Sequence, residues 1–176
     1  YYQGRCPALH TLRHTTMVVE VRLLLERSLS REEYEVEFFY GHELAITSTR
    51  PDGAIVVQRA QKTALVFLEA DCGTERLTSP HTYSLLGKFR DGYAPYFDTE
   101  QYKKDFAWAG SLHGFRVALV LLGPKRLANV QRLLAANSLD FVLLATMDDI
   151  MREGVHAPVW RSHDGNIVDI LGRRHG

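Results

Sequence analysis

The first regular pattern in the chain is a helical one, and short apolar runs follow it. Apolar residues recur at helical spacing between Leu12 and Leu29, and charged residues fill the other positions, which predicts a helix. Glu35–Ile46 alternates loosely and contains three consecutive aromatic residues, which favours a strand. Two further apolar runs, Ala54–Arg59 and Thr63–Asp71, are joined by a short polar turn. We therefore expect three consecutive strands, the last two paired antiparallel.

The second half of the sequence alternates helical and apolar segments. Ser79-Pro80 has proline at the first position of a helix that is expected to run toward Tyr93. Beyond it, continuous apolar runs predict strands, and amphipathic or short polar segments predict helices. In chain order these are a helical piece over Thr99–Ala109, a strand over Phe115–Leu122, a helix over Lys125–Asn137, a strand over Phe141–Ala145, a short helix over Met147–Glu153 and a last strand over Asn166–Leu171.

The order of these elements predicts an α/β fold. Three consecutive strands can form an antiparallel meander, whereas strands that alternate with helices add to a sheet in parallel. We expect a central mixed β-sheet flanked by helices, in αβββαβαβ order. A length of 176 residues suits one domain, spanning 1–176, with a sizeable core.

Composition narrows the classes of protein only slightly. Basic and acidic residues balance at 21 each, so the net charge is zero and does not signal nucleic-acid binding. A basic face can nevertheless coexist with an acidic metal site. Two cysteines are too few for a disulfide framework, and no apolar run approaches a membrane span. We expect a cytoplasmic protein that does not contact membranes. Because the sequence starts at Tyr1 without methionine or a signal peptide, we expect it to be cut from a longer chain.

Acidic residues stand where two neighbouring predicted strands begin and end. Pro51-Asp52-Gly53 precedes one strand, and Glu69 and Asp71 close the next. Residues two apart in a strand point to the same face, so Glu69 and Asp71 share one. Oxygen ligands of this kind suit Mg²⁺, which acts mostly on phosphate esters. This arrangement suggests a nuclease.

The same residues resemble a known motif. Pro51-Asp52-Gly53, then the run from Phe67 to Glu75 (FLEADCGTE), then Lys88 within LLGKFRDGY resemble the restriction-endonuclease-like (PD-(D/E)XK) superfamily. Its signature is proline–aspartate, then an acid, one spacer and lysine. Within the superfamily, the sequence looks like the replication-relaxation family of plasmid and mobile-element proteins. The likeness covers roughly Leu12 to Leu144, and its motifs lie in the middle third.

The resemblance implies roles for five residues. Asp52 and Glu69 would hold one or two divalent cations, Mg²⁺ or Mn²⁺. Asp71 stands where the superfamily usually has its catalytic lysine; an aspartate cannot orient water in that way, but it could be a further metal ligand. Lys88, on the next helix, would take over the part of the lysine. Glu75 would bind metal or favour the N-terminus of that helix.

Two functions from different classes follow from the resemblance. The first is a metal-dependent phosphodiesterase that acts on plasmid or mobile-element DNA and lacks here the N-terminal winged-helix reader of its relatives. The second is a non-catalytic DNA-binding or assembly module, which could form a homodimer. Asp71 in the lysine position favours this second function. In an enzyme, Asp52, Glu69 and Lys88 should converge on one open cleft. In a scaffold, Lys88 should point away or the cleft should be filled.

Structural roles compete with each of these assignments. Asp52 before Gly53 could simply shape a turn, Glu69 and Asp71 could be solvated at a strand end, and Lys88 could be a solvated helix lysine. Two carboxylates that close a buried strand are costly without a partner, which favours a functional site. Glu20 on the first helix would either reach that site or be exposed.

Other candidate residues favour structural roles. His10 and His14 have a zinc-binding spacing, but no third ligand follows the known pattern, so caps or surface positions are expected. Acidic neighbours should raise the pKa of Cys72, which argues against a nucleophile. Aromatic residues could stack on bases, but core positions are expected more often; they are Tyr83, Phe89, Tyr93, Tyr96 and Phe97. Basic residues could contact phosphates, but solvated surface positions are expected more often; they are Lys103, Lys104, Lys125, Arg126, Arg132, Arg173 and Arg174.

Overall fold

The computed structural model describes residues 9–32, 34–44, 46, 49–73, 75–79 and 84–173. Within these ranges the chain forms an α/β fold built on a seven-stranded mixed sheet with helices on both faces. No helix in these ranges is both long and apolar enough to cross a membrane.

The strands lie in the sheet in the order in which they occur in the sequence. The first three form an antiparallel meander, the fourth and fifth add in parallel, and two short strands close the sheet antiparallel. This confirms the expected mixed sheet and the antiparallel pairing of the second and third strands. The strands are β1 (Glu35–Tyr40), β2 (Gly53–Arg59), β3 (Lys62–Asp71), β4 (Phe115–Leu121), β5 (Val142–Thr146), β6 (Trp160–Arg161) and β7 (Ile167–Val168).

Six α-helices and two other helical segments complete the described fold. A π-helical segment, Lys88–Tyr93, joins α2 to α3 without interruption, and a 3₁₀ turn, Ala107–Ala109, follows α4. The α-helices are α1 (Leu9–Ser30), α2 (Leu85–Gly87), α3 (Ala94–Asp98), α4 (Gln101–Asp105), α5 (Pro124–Ala136) and α6 (Met147–Glu153).

Two boundaries differ from the sequence-based predictions. β1 ends at Tyr40 rather than near Ile46, because the chain turns at Gly41 and the Glu43 amide donates to the Tyr40 carbonyl at 2.9 Å. A Cβ on Gly41 would stand 1.9 Å from the Pro51 carbonyl oxygen, so only glycine permits this close approach. The helix after β3 begins at Leu85, behind an extended cap residue, Ser84; Pro80 and Tyr83 lie outside the described residues.

The sheet separates two layers of the core. On one face, side chains of α2 to α5 pack against β2 to β5. On the other face, α1 packs with α6 and with Trp160 of β6. β3 has hydrogen-bonded neighbours on both sides and is buried from Leu65 to Asp71, as its lack of polar alternation predicts. A polar side chain at the end of β3 is therefore covered by helices, and water alone cannot solvate it.

Candidate functional site

Asp52 is fixed by β3 and α1 and does more than shape a turn. Its amide donates to the Leu68 carbonyl at 3.0 Å, and its Oδ2 accepts from the Ala70 amide at 2.8 Å. The same oxygen lies 3.1 Å from Nε2 of His14 on α1. Hydrogen bonds to the backbone of Leu68 and of Ala70 thus hold Asp52 at the point where β2 begins and β3 ends.

Glu69 belongs to β3 and lies beside Asp52; the residue is 2% exposed. One of its oxygens, Oε1, accepts a hydrogen bond from the Tyr93 hydroxyl at 2.6 Å. The other, Oε2, forms an ion pair with Nζ of Lys88. The carboxylate is thus satisfied from two points of the helical segment that covers it, and one of these two partners is Lys88.

The π-helical segment explains how Lys88 and Tyr93 reach the same carboxylate. Residues five apart in an α-helix are about 140° apart around the axis and do not share a face. In a π-helix the hydrogen bond runs from residue i to i+5, which stacks Tyr93 over Lys88. Segments of this kind frequently occur at functional sites. Here the segment aims an amine and a phenol at one buried acid.

Burial and neighbouring charges shift the ionisation of the two acids in opposite directions. Burial raises the pKa of Glu69 to about 7, although the Lys88 charge and the Tyr93 hydroxyl oppose the shift. Burial also favours the neutral form of Asp52, but the His14 hydrogen bond and the Lys88 charge outweigh it and hold its pKa below the ordinary value. The site therefore places an ionised carboxylate next to one that titrates near neutrality.

The two basic partners gain affinity for their protons. Burial alone would lower the pKa of Lys88, but the charges of Glu69 and Asp52 outweigh it and raise that pKa above its ordinary value. The hydrogen bond to Asp52 raises the pKa of His14 against an opposing effect of burial. Lys88 is therefore a cation throughout the neutral pH range, and a charged His14 is favoured.

Asp71 belongs to a separate ion pair at the end of β3. Its Oδ2 accepts from Nε of Arg126 on α5 at 2.7 Å, and its Oδ1 accepts from the Gly73 amide at 2.7 Å. Arg126 also donates to the backbone carbonyl of Glu75, while the Glu75 side chain is exposed. Asp71 shares the face of β3 with Glu69, but its contacts connect β3 to α5.

The predicted metal-binding set is not gathered into one cluster. In the ranges that the structure describes, no three His, Cys, Asp or Glu side chains are close enough together to hold a metal ion. Asp52 and Glu69 interact electrostatically with each other and with Lys88, whereas Asp71 is neutralised by Arg126. Glu20 on α1 is exposed and has no described contact with these acids.

A cleft opens beside Asp52. Its volume is about 270 Å³, and polar and aromatic side chains from α1 and from the β1–β2 connection surround it. The side chain of Asp52 is 19% exposed and that of His14 is 37% exposed. Glu69 lies behind them, at 3% exposure. The residues that give the cleft its polar character are His14, Tyr40, His42, Arg50 and Asp52.

Three residues of the site escaped the sequence-based assignments. His14 was expected as a cap or surface residue, Tyr93 as a core residue and Arg126 as a solvated charge. Tyr93 is indeed buried in the core, but its hydroxyl serves Glu69. A polar tip on a buried aromatic residue needs a partner, which was the only signal in the sequence. The pKa of Cys72 is raised, as predicted, although burial is the larger cause.

Comparison with protein-family models, with curated proteins and with solved structures finds no match to this chain.

Proposed function

We propose that this chain is a metal-dependent phosphodiesterase of restriction-endonuclease-like fold that cleaves DNA in the replication or relaxation of a plasmid or mobile element. One observation supports this most directly: Asp52, Glu69 and Lys88 lie at the same end of the β2–β3 pair, with Lys88 on Glu69. The meander followed by parallel strands agrees with the sheet expected for that superfamily.

The donor chemistry fits Mg²⁺ or Mn²⁺ at Asp52 and Glu69. Both offer carboxylate oxygens, and no described residue hydrogen-bonds to Oδ1 of Asp52. Each Glu69 oxygen accepts one hydrogen bond, and a carboxylate oxygen has two acceptor positions. A bound divalent cation would lower the pKa of water and neutralise charge on the phosphate. Asp71 is better suited to its ion pair with Arg126 than to a metal.

The remaining residues have distinct roles in this proposal. Glu69 would hold the cation together with Asp52, and the Lys88 ammonium group would then stabilise the charge that develops on the phosphate. Tyr93 keeps Glu69 oriented from the core side. His14 orients Asp52 through Oδ2, and Oδ1 is the oxygen that would hold a cation. DNA would approach the site through the cleft beside Asp52, which neither Glu69 nor Lys88 lines.

A non-catalytic nuclease fold is the second candidate, and a specific observation favours it. Each of the three acids already has a cationic partner: His14 for Asp52, Lys88 for Glu69 and Arg126 for Asp71. A site neutralised by its own protein needs no metal for stability. In this alternative the chain binds DNA without cleaving it or serves as an assembly module, and the Lys88 ammonium group takes the place of a metal ion beside Glu69.

Nicking of supercoiled plasmid in the presence of Mn²⁺ tests the proposal. We expect Glu69→Gln to abolish nicking, because it weakens metal binding, and Lys88→Ala to slow it by about 10²-fold. Glu100→Gln, which changes an exposed acid next to α4, is the matched control and should nick at the wild-type rate. The chain is neutral, so the assay is best run at low salt, where phosphate contacts are strongest.

Calorimetric titration with Mn²⁺ separates the two candidates. If wild type binds Mn²⁺ and Asp52→Asn does not, Asp52 is a ligand whether or not nicking is detected. If wild type and Glu69→Gln nick at one background rate and neither binds Mn²⁺, the enzyme assignment fails and the scaffold assignment stands.

A further inference from the structure

A second cavity lies at the other end of the β2–β3 pair, and three cationic side chains are among the residues that line it. Its volume is about 290 Å³. It is formed where the two strands meet in a tight turn and where the chain approaches residue 173. None of the described residues that line it is acidic. The residues that matter here are Tyr34, Arg59, Lys62, Thr63, Leu171 and Arg173.

Among the residues that the structure describes, two of the three cations have no acidic partner. Neither Arg59 nor Lys62 forms an ion pair with any acid that the structure describes. Arg173 does have a partner, because its Nε donates to the buried carboxylate of Asp169 at 2.6 Å. Counted over the described residues, three cations and one carboxylate leave an excess of two positive charges at the cavity.

The arrangement is costly for the free protein. Arg59 and Lys62 are direct partners in the antiparallel register, and like charges placed opposite each other destabilise a sheet. They flank a turn in which Ala60 has a φ of 54°, a left-handed conformation that a residue with a side chain rarely adopts. An anion between the two side chains would remove the repulsion.

Both guanidinium groups are held in place before any ligand arrives. The Arg59 guanidinium carbon lies 5.1 Å from the centre of the Tyr34 ring. Arg173 donates to the Tyr34 hydroxyl at 2.8 Å and contacts Nε2 of His156 at 2.8 Å. Because arginine can only donate, that nitrogen of His156 is the acceptor. Preorganised guanidinium groups match the oxygens of a phosphate and lose little entropy on binding it.

We infer that this cavity binds a phosphate group, with Arg59 and Lys62 as its main contacts and Arg173 as a third. The inference does not depend on the proposed function. Glu69 stands seven positions after Lys62 in β3, a distance of about 23 Å along the strand. The phosphate is therefore not the one that the candidate site would cleave. It belongs either to a small phosphorylated ligand or to the backbone of a DNA strand that continues along the protein.

Calorimetric titration with inorganic phosphate at constant ionic strength tests this inference. Wild type should bind phosphate, and Arg59→Gln/Lys62→Gln should bind it at least about tenfold more weakly, because two charge-assisted hydrogen bonds are lost. The matched control is Lys104→Gln/Lys125→Gln, which removes two exposed lysines elsewhere and changes the net charge equally. It should bind phosphate like wild type.

Thermal denaturation shows that the double variant is folded. Without phosphate, Arg59→Gln/Lys62→Gln should melt at or above the wild-type temperature, because the like-charge pair is gone. At ten times its Kd, phosphate should raise the wild-type melting temperature by about 3–5 °C and leave the double variant unchanged. The inference is overturned if wild type does not bind phosphate or if the folded double variant binds it equally well.

Competition with DNA identifies the source of the phosphate. A short DNA duplex that displaces phosphate from wild type, and binds the double variant more weakly, assigns the cavity to the DNA backbone. A duplex that leaves phosphate binding unchanged assigns it to a small phosphorylated ligand. Either result supports a phosphate site.

Discussion

At the scale of single residues, the acids at the end of the β2–β3 pair differ through their partners. Asp52 is held by His14 and a backbone amide, Glu69 by Lys88 and Tyr93, and Asp71 by Arg126. Burial raises the pKa of Glu69 to about 7, whereas the His14 hydrogen bond and the Lys88 charge hold the pKa of Asp52 below its ordinary value. Glu69 is the acid whose charge state changes near neutral pH.

This shift predicts how stability depends on pH when no divalent cation is present. Between the ordinary pKa of 4.5 and about 7, the folded protein keeps the Glu69 proton while the unfolded chain releases it. The folded state then binds more protons, so the free energy of unfolding falls as pH rises through this window. Wild type should lose on the order of 2 kcal/mol more than Glu69→Gln between pH 5 and pH 7.

Urea denaturation at pH 5, 6 and 7 in EDTA measures how the free energy of unfolding of wild type and of Glu69→Gln changes with pH. The pKa of His14 is also raised, so His14 weakens stability as pH rises above 6.5. Glu69→Gln retains His14, and the Glu69 charge is the smallest of the effects that shift the His14 pKa, so the difference between the two proteins is due mainly to Glu69. Parallel pH profiles would mean that the folded and unfolded states hold this proton equally.

At the scale of elements, the π-helical segment determines which of its side chains reach Glu69. Lys88 and Tyr93 are five residues apart, and only the wider π turn stacks them. Removing one residue would leave them four apart, a spacing that shares a face in an ordinary α-helix. Adding one residue would leave them six apart, and neither helix type would then align them.

Deletion and insertion at the same point should therefore have different effects. Asp91 is exposed and pairs only locally with Arg90 in the described structure. Deleting Asp91 should change the free energy of unfolding by less than about 1 kcal/mol, because both contacts to Glu69 survive. Inserting alanine after Arg90 should cost more than about 2 kcal/mol, because a buried group loses a partner. Urea denaturation measures both, and equal losses would show that the π turn is needed for another reason.

At the scale of the whole molecule, β3 unites the two layers of the core. Phe67 at its centre is 0% exposed, and its ring contacts four aromatic rings at centroid distances from 5.0 to 6.1 Å. The partners are Tyr93, Tyr96, Phe106 and Phe115. Ile167 in β7, by contrast, is 41% exposed at the edge of the sheet. Stability should therefore depend far more on the centre than on the edge.

Truncation of these two side chains measures that difference. Phe67→Ala should lower the free energy of unfolding by about 3–5 kcal/mol, because it leaves a cavity among packed rings. Ile167→Ala should lower it by about 0.5 kcal/mol or less, because the side chain is already hydrated. Chemical denaturation followed by far-ultraviolet circular dichroism gives both values. Similar losses would show that the edge strands are part of the same tightly packed core.

The sequence alone determined that the fold is a mixed sheet with helices on both faces, and where its main strands lie. Apolar runs of strand length and amphipathic segments of helix length are local patterns, so β2, β3, β4 and β5 lie within two residues of their predicted bounds. The alternation of side chains along β3 also placed Glu69 and Asp71 on one face. These features follow from backbone geometry and need no knowledge of distant contacts.

Only the tertiary structure decided which partner each acid has. His14 reaches Asp52 across 38 residues, Lys88 reaches Glu69 across 19, and Arg126 reaches Asp71 across 55. Such pairs form because helix packing carries charged side chains to buried carboxylates that would otherwise be costly. The pairing depends on how α1, α5 and the π-helical segment lie on the sheet, and no local pattern of residues specifies that.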